Sequence, residues 1–174
     1  RNGMTAQMNE IKLHMGHIYL LVHGVMRAYD YLTEVLQWAA RYQKYPLKFM
    51  ADLYLSFYEM QQNRLDKSRK LLSDAKYILN LSVNPIDYYN YLIYLAYWLI
   101  YARRYDHAER VIRLLLKKSK DYARYQAASY YLLGKLRHVK GDFTGADSAL
   151  TRAVKISEKW QFPHFLYYTL CELA

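Results

Sequence analysis

The sequence predicts an all-α protein built as a helical repeat, and three observations predict it. Apolar residues recur with the 3.6-residue period of a helix. The prolines Pro46, Pro85 and Pro163 lie 39 and 78 residues apart, one and two units of one period. Each precedes an apolar helical run, where proline suits a helix start. Third, the runs align with one another. In "YLLGKLRHVKGDFTGADSALTRAVKI" Gly134 is followed by Gly141, Asp142 and Phe143, then by Ala146, Leu150 and Ala153. The run "YLAYWLIYARRYDHAERVIRLLL" places Ala96, Tyr105, Ala108, Ile112 and Leu115 at matching offsets. Ser56, Leu65, Ser68, Leu72 and Ala75 hold those offsets in an earlier copy, and Leu20, Tyr29, Leu32, Leu36 and Ala39 in a weaker first one. The second-helix anchors are then Leu32, Ser68, Ala108 and Ala146, spaced 36, 40 and 38 residues.

This spacing predicts helices over 4–24, 29–42, 46–61, 65–80, 85–102, 106–119, 122–138, 143–159 and 163–174, joined by short turns in a single domain, 1–174. The helix from residue 85 has the clearest start: Asn84 as N-cap, Pro85 at the first helical position and Asp87 in the first turn. No charge then follows until Arg103, and tyrosine fills seven positions between Asp87 and Tyr105. Fifteen uncharged residues are too few to span a bilayer, which takes about 20. On a helical wheel Tyr91, Tyr94, Tyr97, Trp98, Tyr101 and Tyr105 share one face, with Leu92, Leu95, Ala96 and Leu99 opposite. A helix apolar all round has neighbours on several sides. A small residue in each helix of a hairpin lets the backbones approach, an aromatic or leucine at the turn plugs the gap to the next hairpin, and hairpins stack because none covers its own apolar faces.

The pattern resembles the tetratricopeptide repeat, most faithfully from Tyr130 to Ile156. The resemblance covers about residues 13 to 174. It departs from that family in unit length, which is near 38 or 39 residues rather than about 34. It departs also at the tryptophan of the first helix, where Gly16, Asp52, Leu92 and Tyr130 stand. Long units of this kind look like the sensor domains of MalT-like transcription regulators and are similar to helical-repeat peptide receptors. The resemblance implies a right-handed superhelical solenoid of about four hairpins plus a final helix, with the first helix of each hairpin lining a concave groove. That wall would take His14, His17 and Leu21, then Met50, Leu53, Phe57, Met60 and Gln61. Asn90, Ile93, Tyr94, Tyr97 and Tyr101 would follow, then Ala128, Tyr131, Lys135 and His138. Asn90 would bond a peptide backbone, Lys135 an acidic group, and the tyrosines would offer flat faces with polar tips.

The implied function is a regulatory module binding a protein, a peptide or a small effector in an aromatic groove, as the sensor part of a signal-responsive transcription regulator. The alternative is a scaffold for nucleic acid or an acidic protein. Formal net charge is +10, and Arg110, Arg113 and Lys117 share one helix face. No recognition helix, zinc finger or RNA platform accompanies them. One cysteine, Cys171, precludes an internal disulfide and fits a reducing, cytoplasmic setting. His14 and His17, with His23 further on, lack the ligands a metal needs. No catalytic constellation, metal or cofactor is expected, and no membrane association. The opening "RNGMTAQMNE" is not a signal peptide and reads as a piece of a longer polypeptide. In the last helix Phe165, Leu166, Leu170 and Leu173 leave an apolar face, which predicts a continuing chain or self-association through that end.

Overall fold

Helix ends in this chain are made by one recurring device. The turns at 62–64, 102–104 and 140–142 each place a residue in the left-handed region: Asn63 at φ 57°, Arg103 at φ 56° and Gly141 at φ 82°. The next N–H then reaches back five residues, from Arg64 to the Glu59 carbonyl, from Arg104 to Leu99 and from Asp142 to Arg137. In these three hairpins this closes the first helix and reverses the chain in three residues. Only the third copy has the glycine that such a conformation favours. The following helix is capped by side chain in that same copy, where the Asp142 carboxylate accepts from the Gly145 N–H at 2.9 Å.

The computed structural model describes residues 2–21, 25–82 and 84–162. Among them the secondary structure is entirely helical: α1 Asn2–Leu21, α2 Val25–Arg41, α3 Tyr45–Gln61, α4 Leu65–Leu79, α5 Pro85–Tyr101, α6 Tyr105–Lys118, α7 Ala123–Val139 and α8 Phe143–Lys159. Asn84 does cap α5, its side-chain oxygen accepting from the Ile86 N–H at 3.1 Å, and Asp87 accepts from the Ser82 hydroxyl at 2.6 Å. The expected helix over 163–174, with Phe165, Leu166, Leu170, Cys171 and Leu173, lies outside the described residues, as does His23.

The chain forms two compact units that divide after Asp87. In the first, α1 pairs with α2 and α3 with α4, and α2 packs on α3. In the second, α7 pairs with α8 and α6 packs on α7. Helix α5 is tied to its neighbours by two tyrosine bonds: Tyr89 of α5 donates to the Lys118 carbonyl at 2.8 Å, and Tyr125 of α7 donates to Asn90 Oδ1 of α5 at 3.1 Å.

One repeat frame runs through both units. Its second helices bury Ala28, Leu32, Val35 and Ala39 in α2; Ser68, Leu72 and Ala75 in α4; Ala108, Ile112, Leu115 and Ser119 in α6; and Ala146, Leu150, Ala153 and Ser157 in α8. This corrects the register expected for the first copy. Its anchor is Ala28 rather than Leu32, one helical turn earlier, so the anchors stand 40, 40 and 38 residues apart. The same slip explains why α2 begins at Val25 and not at residue 29. The physical reason is the closest approach in the hairpin. A Cβ at Gly16 would fall 2.7 Å from the Leu32 side chain, as one at Gly134 would fall 2.6 Å from Leu150. The first-helix partners in this frame are Gly16, Ser56, Ala96 and Gly134, all buried. The turn residues do not all plug gaps: Leu65 and Tyr105 are half-buried, but Phe143 is 65% exposed.

Candidate functional site

A first helix in this frame has two buried flanks and a strip between them that stays partly accessible. The strip is set by the position one residue after the small-residue contact. It holds His17 in α1, Phe57 in α3, Tyr97 in α5 and Lys135 in α7, each half-buried. One turn further on come half-buried Leu21 and Gln61 and exposed Tyr101.

In the first unit His17 lies flat against Tyr54, ring centroids 4.3 Å apart and planes 4° from parallel. Neighbouring His14 is exposed. Phe57 and Gln61 share the α3 strip, and Gln61 Oε1 is buried without a donor among the described residues. Leu53 and Met60, expected on this wall, belong to the core.

In the second unit α5 presents Tyr94 and Tyr97, half-buried with rings 6.3 Å apart, and then Tyr101, 37% exposed. The opposite flank buries Leu92, Ala96 and Leu99, and Tyr91 and Trp98 are buried as well. Burial raises the Tyr91 phenol pKa, with the nearby Tyr88 adding to the rise. Arg104 covers the Trp98 ring at 5.6 Å. The tyrosine face is therefore divided: Tyr91 and Trp98 join the core, Tyr94, Tyr97 and Tyr105 are half-buried, and Tyr101 is exposed.

Three expected wall residues have other duties. Tyr131 is buried, at the frame position that Leu13 and Leu53 hold, because that side of a first helix turns into the protein. Ala128 is buried with it. His138 is exposed but packs edge-on against Phe143 at 5.5 Å, so it belongs to the α7–α8 turn. Asn90 spends its side-chain oxygen on Tyr125 and so clamps α5 to α7. Around that clamp Tyr89, Tyr122 and Tyr125 form a cluster with centroids 5.2 to 6.4 Å apart. Sequence spacing did not reveal this cluster, because its members meet only where the α6–α7 turn returns to α5.

The basic stripe of α6 is partly answered from within. Arg110 and Lys117 are exposed, but Arg113 donates to Glu109 at 2.7 and 3.1 Å. This bond holds the Glu109 carboxyl below its ordinary pKa, and Lys140 approaches the same carboxylate at 3.5 Å. A cleft of about 210 Å³ beside it is lined by Glu109, Leu133, Leu136, Arg137, Lys140 and Asp142, with both charge signs present.

Two buried acids in the first unit were not singled out from the sequence. Asp52 is 1% exposed and bonded to Lys48 at 2.7 Å. Burial pushes its carboxyl up to about 6, Lys48 pulls it down, and Asp74 adds a smaller upward push. Glu59 is buried beside Arg64, whose guanidinium answers the charge without meeting the oxygen along a hydrogen-bonding direction. The signal was present in "FMADLYLSFYEM", where two acids interrupt an apolar helix. Among the described residues no three His, Cys, Asp or Glu side chains gather as a metal would require, and no helix is long and apolar enough to cross a membrane.

No protein-family model matches the chain, and no curated protein matches it.

Proposed function

We propose that this chain is a binding module of the tetratricopeptide kind, which takes a protein or peptide segment against its first helices. The observation that carries this reading is the outward strip of α5. Tyr97 is half-exposed and Tyr101 exposed on a helix with no charge over fifteen residues, whose other sides are core. Rigid aromatic rings with hydroxyl tips suit a mixed apolar and polar ligand at low entropic cost. Lys135 occupies the equivalent strip position on α7, which Asn90 and Tyr125 hold beside α5. A ligand with an acidic group one helix away from an apolar one would engage both. The finer reading is a sensor module of a cytoplasmic transcription regulator, in which a peptide or small effector is the signal; the likeness to MalT-like units supports it.

Peptides selected against the intact protein from a displayed random library test the site. Tyr97→Ala and Tyr101→Ala should each weaken the selected peptide about 30-fold, the loss of roughly 2 kcal/mol typical of an aromatic anchor. Each variant is first shown to melt cooperatively. Binding should persist as salt rises, because apolar contacts are not screened. A second reading rests on exposed Arg110 and Lys117. It requires the opposite result: affinity falling steeply with salt, abolished by charge reversal at Arg110, Arg113 and Lys117, and untouched by the tyrosine variants.

A further inference from the structure

A second helix packs on the next first helix in each unit: α2 on α3 and α6 on α7. In the repeat frame Tyr29, Leu55, Tyr58, Glu59 and Arg64 of the first unit are equivalent to Glu109, Leu133, Leu136, Arg137 and Asp142 of the second. The first copy is filled by aromatic rings. Those of Tyr29 and Tyr58 meet at 4.9 Å, and the Arg64 guanidinium covers the Tyr58 ring at 5.5 Å while pairing with Glu59.

The second copy keeps the frame and loses both rings. Glu109 stands for Tyr29 and Leu136 for Tyr58, and the cleft of about 210 Å³ opens there. Its apolar wall is Leu136, 1% exposed, with half-buried Leu133. The ion pair of the first copy persists with its signs exchanged, Arg137 for Glu59 and Asp142 for Arg64. The exchanged pair is looser, 3.8 Å against 2.5 Å. Lys140, in place of Gln62, reaches Glu109 only at 3.5 Å, and Arg113 already holds that carboxylate at 2.7 Å. Three cations, Arg113, Arg137 and Lys140, thus meet two carboxylates, Glu109 and Asp142, which leaves a surplus positive charge at the cleft.

We propose that the cleft between α6 and α7 binds a small aromatic carboxylic acid. Its ring takes the room that tyrosine rings fill in the first copy and lies on Leu133 and Leu136. Its carboxylate accepts from Lys140 and Arg137, whose ionic contacts within the chain are long, and answers the surplus charge. Sites for drug-sized ligands hold roughly 300–1,000 Å³, so this smaller cleft limits the ligand to about one ring and one acid group. The cleft shares no residue with the strip of Tyr97, Tyr101 and Lys135, so the inference does not rest on peptide binding there.

The probe is phenylacetate, titrated into the intact protein with its leucine methyl groups labelled for magnetic resonance. The Leu133 and Leu136 methyl signals should shift saturably, with the millimolar affinity of so small a ligand. Phenethyl alcohol, which keeps the ring and lacks the carboxylate, should bind about tenfold more weakly. Lys140→Gln should weaken phenylacetate several-fold, whereas Lys120→Gln, an equal loss of charge at another exposed site, should not. Glu109→Tyr with Leu136→Tyr writes the ring pair of the first copy into the cleft and should abolish binding. If that double variant does not melt cooperatively, Lys140→Gln and the alcohol decide. Unshifted Leu133 and Leu136 methyls, an alcohol that binds as well as the acid, or parental affinity in Lys140→Gln overturns the proposal. So does tighter binding by glycyl-glycyl-phenylalanine, since the ligand would then be a peptide terminus.

Discussion

The hairpins α3–α4 and α7–α8 use one backbone frame and fill it with different chemistry. At the closest approach α7–α8 places Gly134 opposite Ala146 and Leu150, and a Cβ on Gly134 would fall 3.3 Å from the Ala146 carbonyl oxygen. In α3–α4 the same two positions are Ser56 and Ser68, both fully buried. Ser56 donates to the Leu53 carbonyl at 2.7 Å, whereas the Ser68 hydroxyl finds no partner among the described residues. One turn earlier, α7–α8 pairs Tyr130 with Arg152, the guanidinium 5.6 Å from the ring. The equivalents in α3–α4 are Asp52 and Asp74, which repel. The frame thus specifies where side chains meet but not whether they attract. The α3–α4 hairpin holds buried polar groups that cost stability, and the α7–α8 hairpin relies on close packing.

Three substitutions break or sharpen this contrast. The largest effect is expected for Ala146→Leu. It forces bulk into the tightest contact of α7–α8 and should lower stability in urea unfolding by about 3 kcal/mol, the upper end of overpacking costs. A midpoint matching the parent would contradict the close approach.

Asp52→Leu comes next, replacing the buried acid with the residue that α5 carries there, Leu92. Because the Asp52 pKa is raised from 3.8 to about 6 on folding, the native state binds its proton more tightly than the unfolded chain does. Its contribution is therefore least unfavourable below about pH 4, and the cost grows as pH rises through 6. The variant should be more stable than the parent at pH 7 by on the order of 2 kcal/mol. That advantage should shrink toward pH 4. A gain that is the same at pH 7 and pH 4 would assign the effect to packing alone.

The smallest of the three is Ser68→Ala. Alanine holds the equivalent position in α2, α6 and α8, as Ala28, Ala108 and Ala146. Removing an unsatisfied buried hydroxyl should add about 1 kcal/mol. Destabilisation in urea would mean that Ser68 is hydrogen-bonded in solution.

The sequence by itself determined the helices and the period. Proline at helix starts, small residues at 38- to 40-residue spacing and uninterrupted helical patterning are local signals, and local signals are written in adjacent residues. It also marked the α5 tyrosine run and the division of Tyr97 and Tyr101 from Leu92 and Ala96. Tertiary structure alone decided which tyrosines are core. Tyr131 of α7, expected on the groove wall with Tyr97 and Tyr101 of α5, is buried, whereas Tyr101 is exposed. The difference depends on which neighbouring helix lies across each residue. The register of the first hairpin was decided the same way, by the contact of Gly16 with Leu32. A shift of one turn leaves the apolar stripe of a helix intact, so periodicity cannot detect it; only the fit of two backbones can.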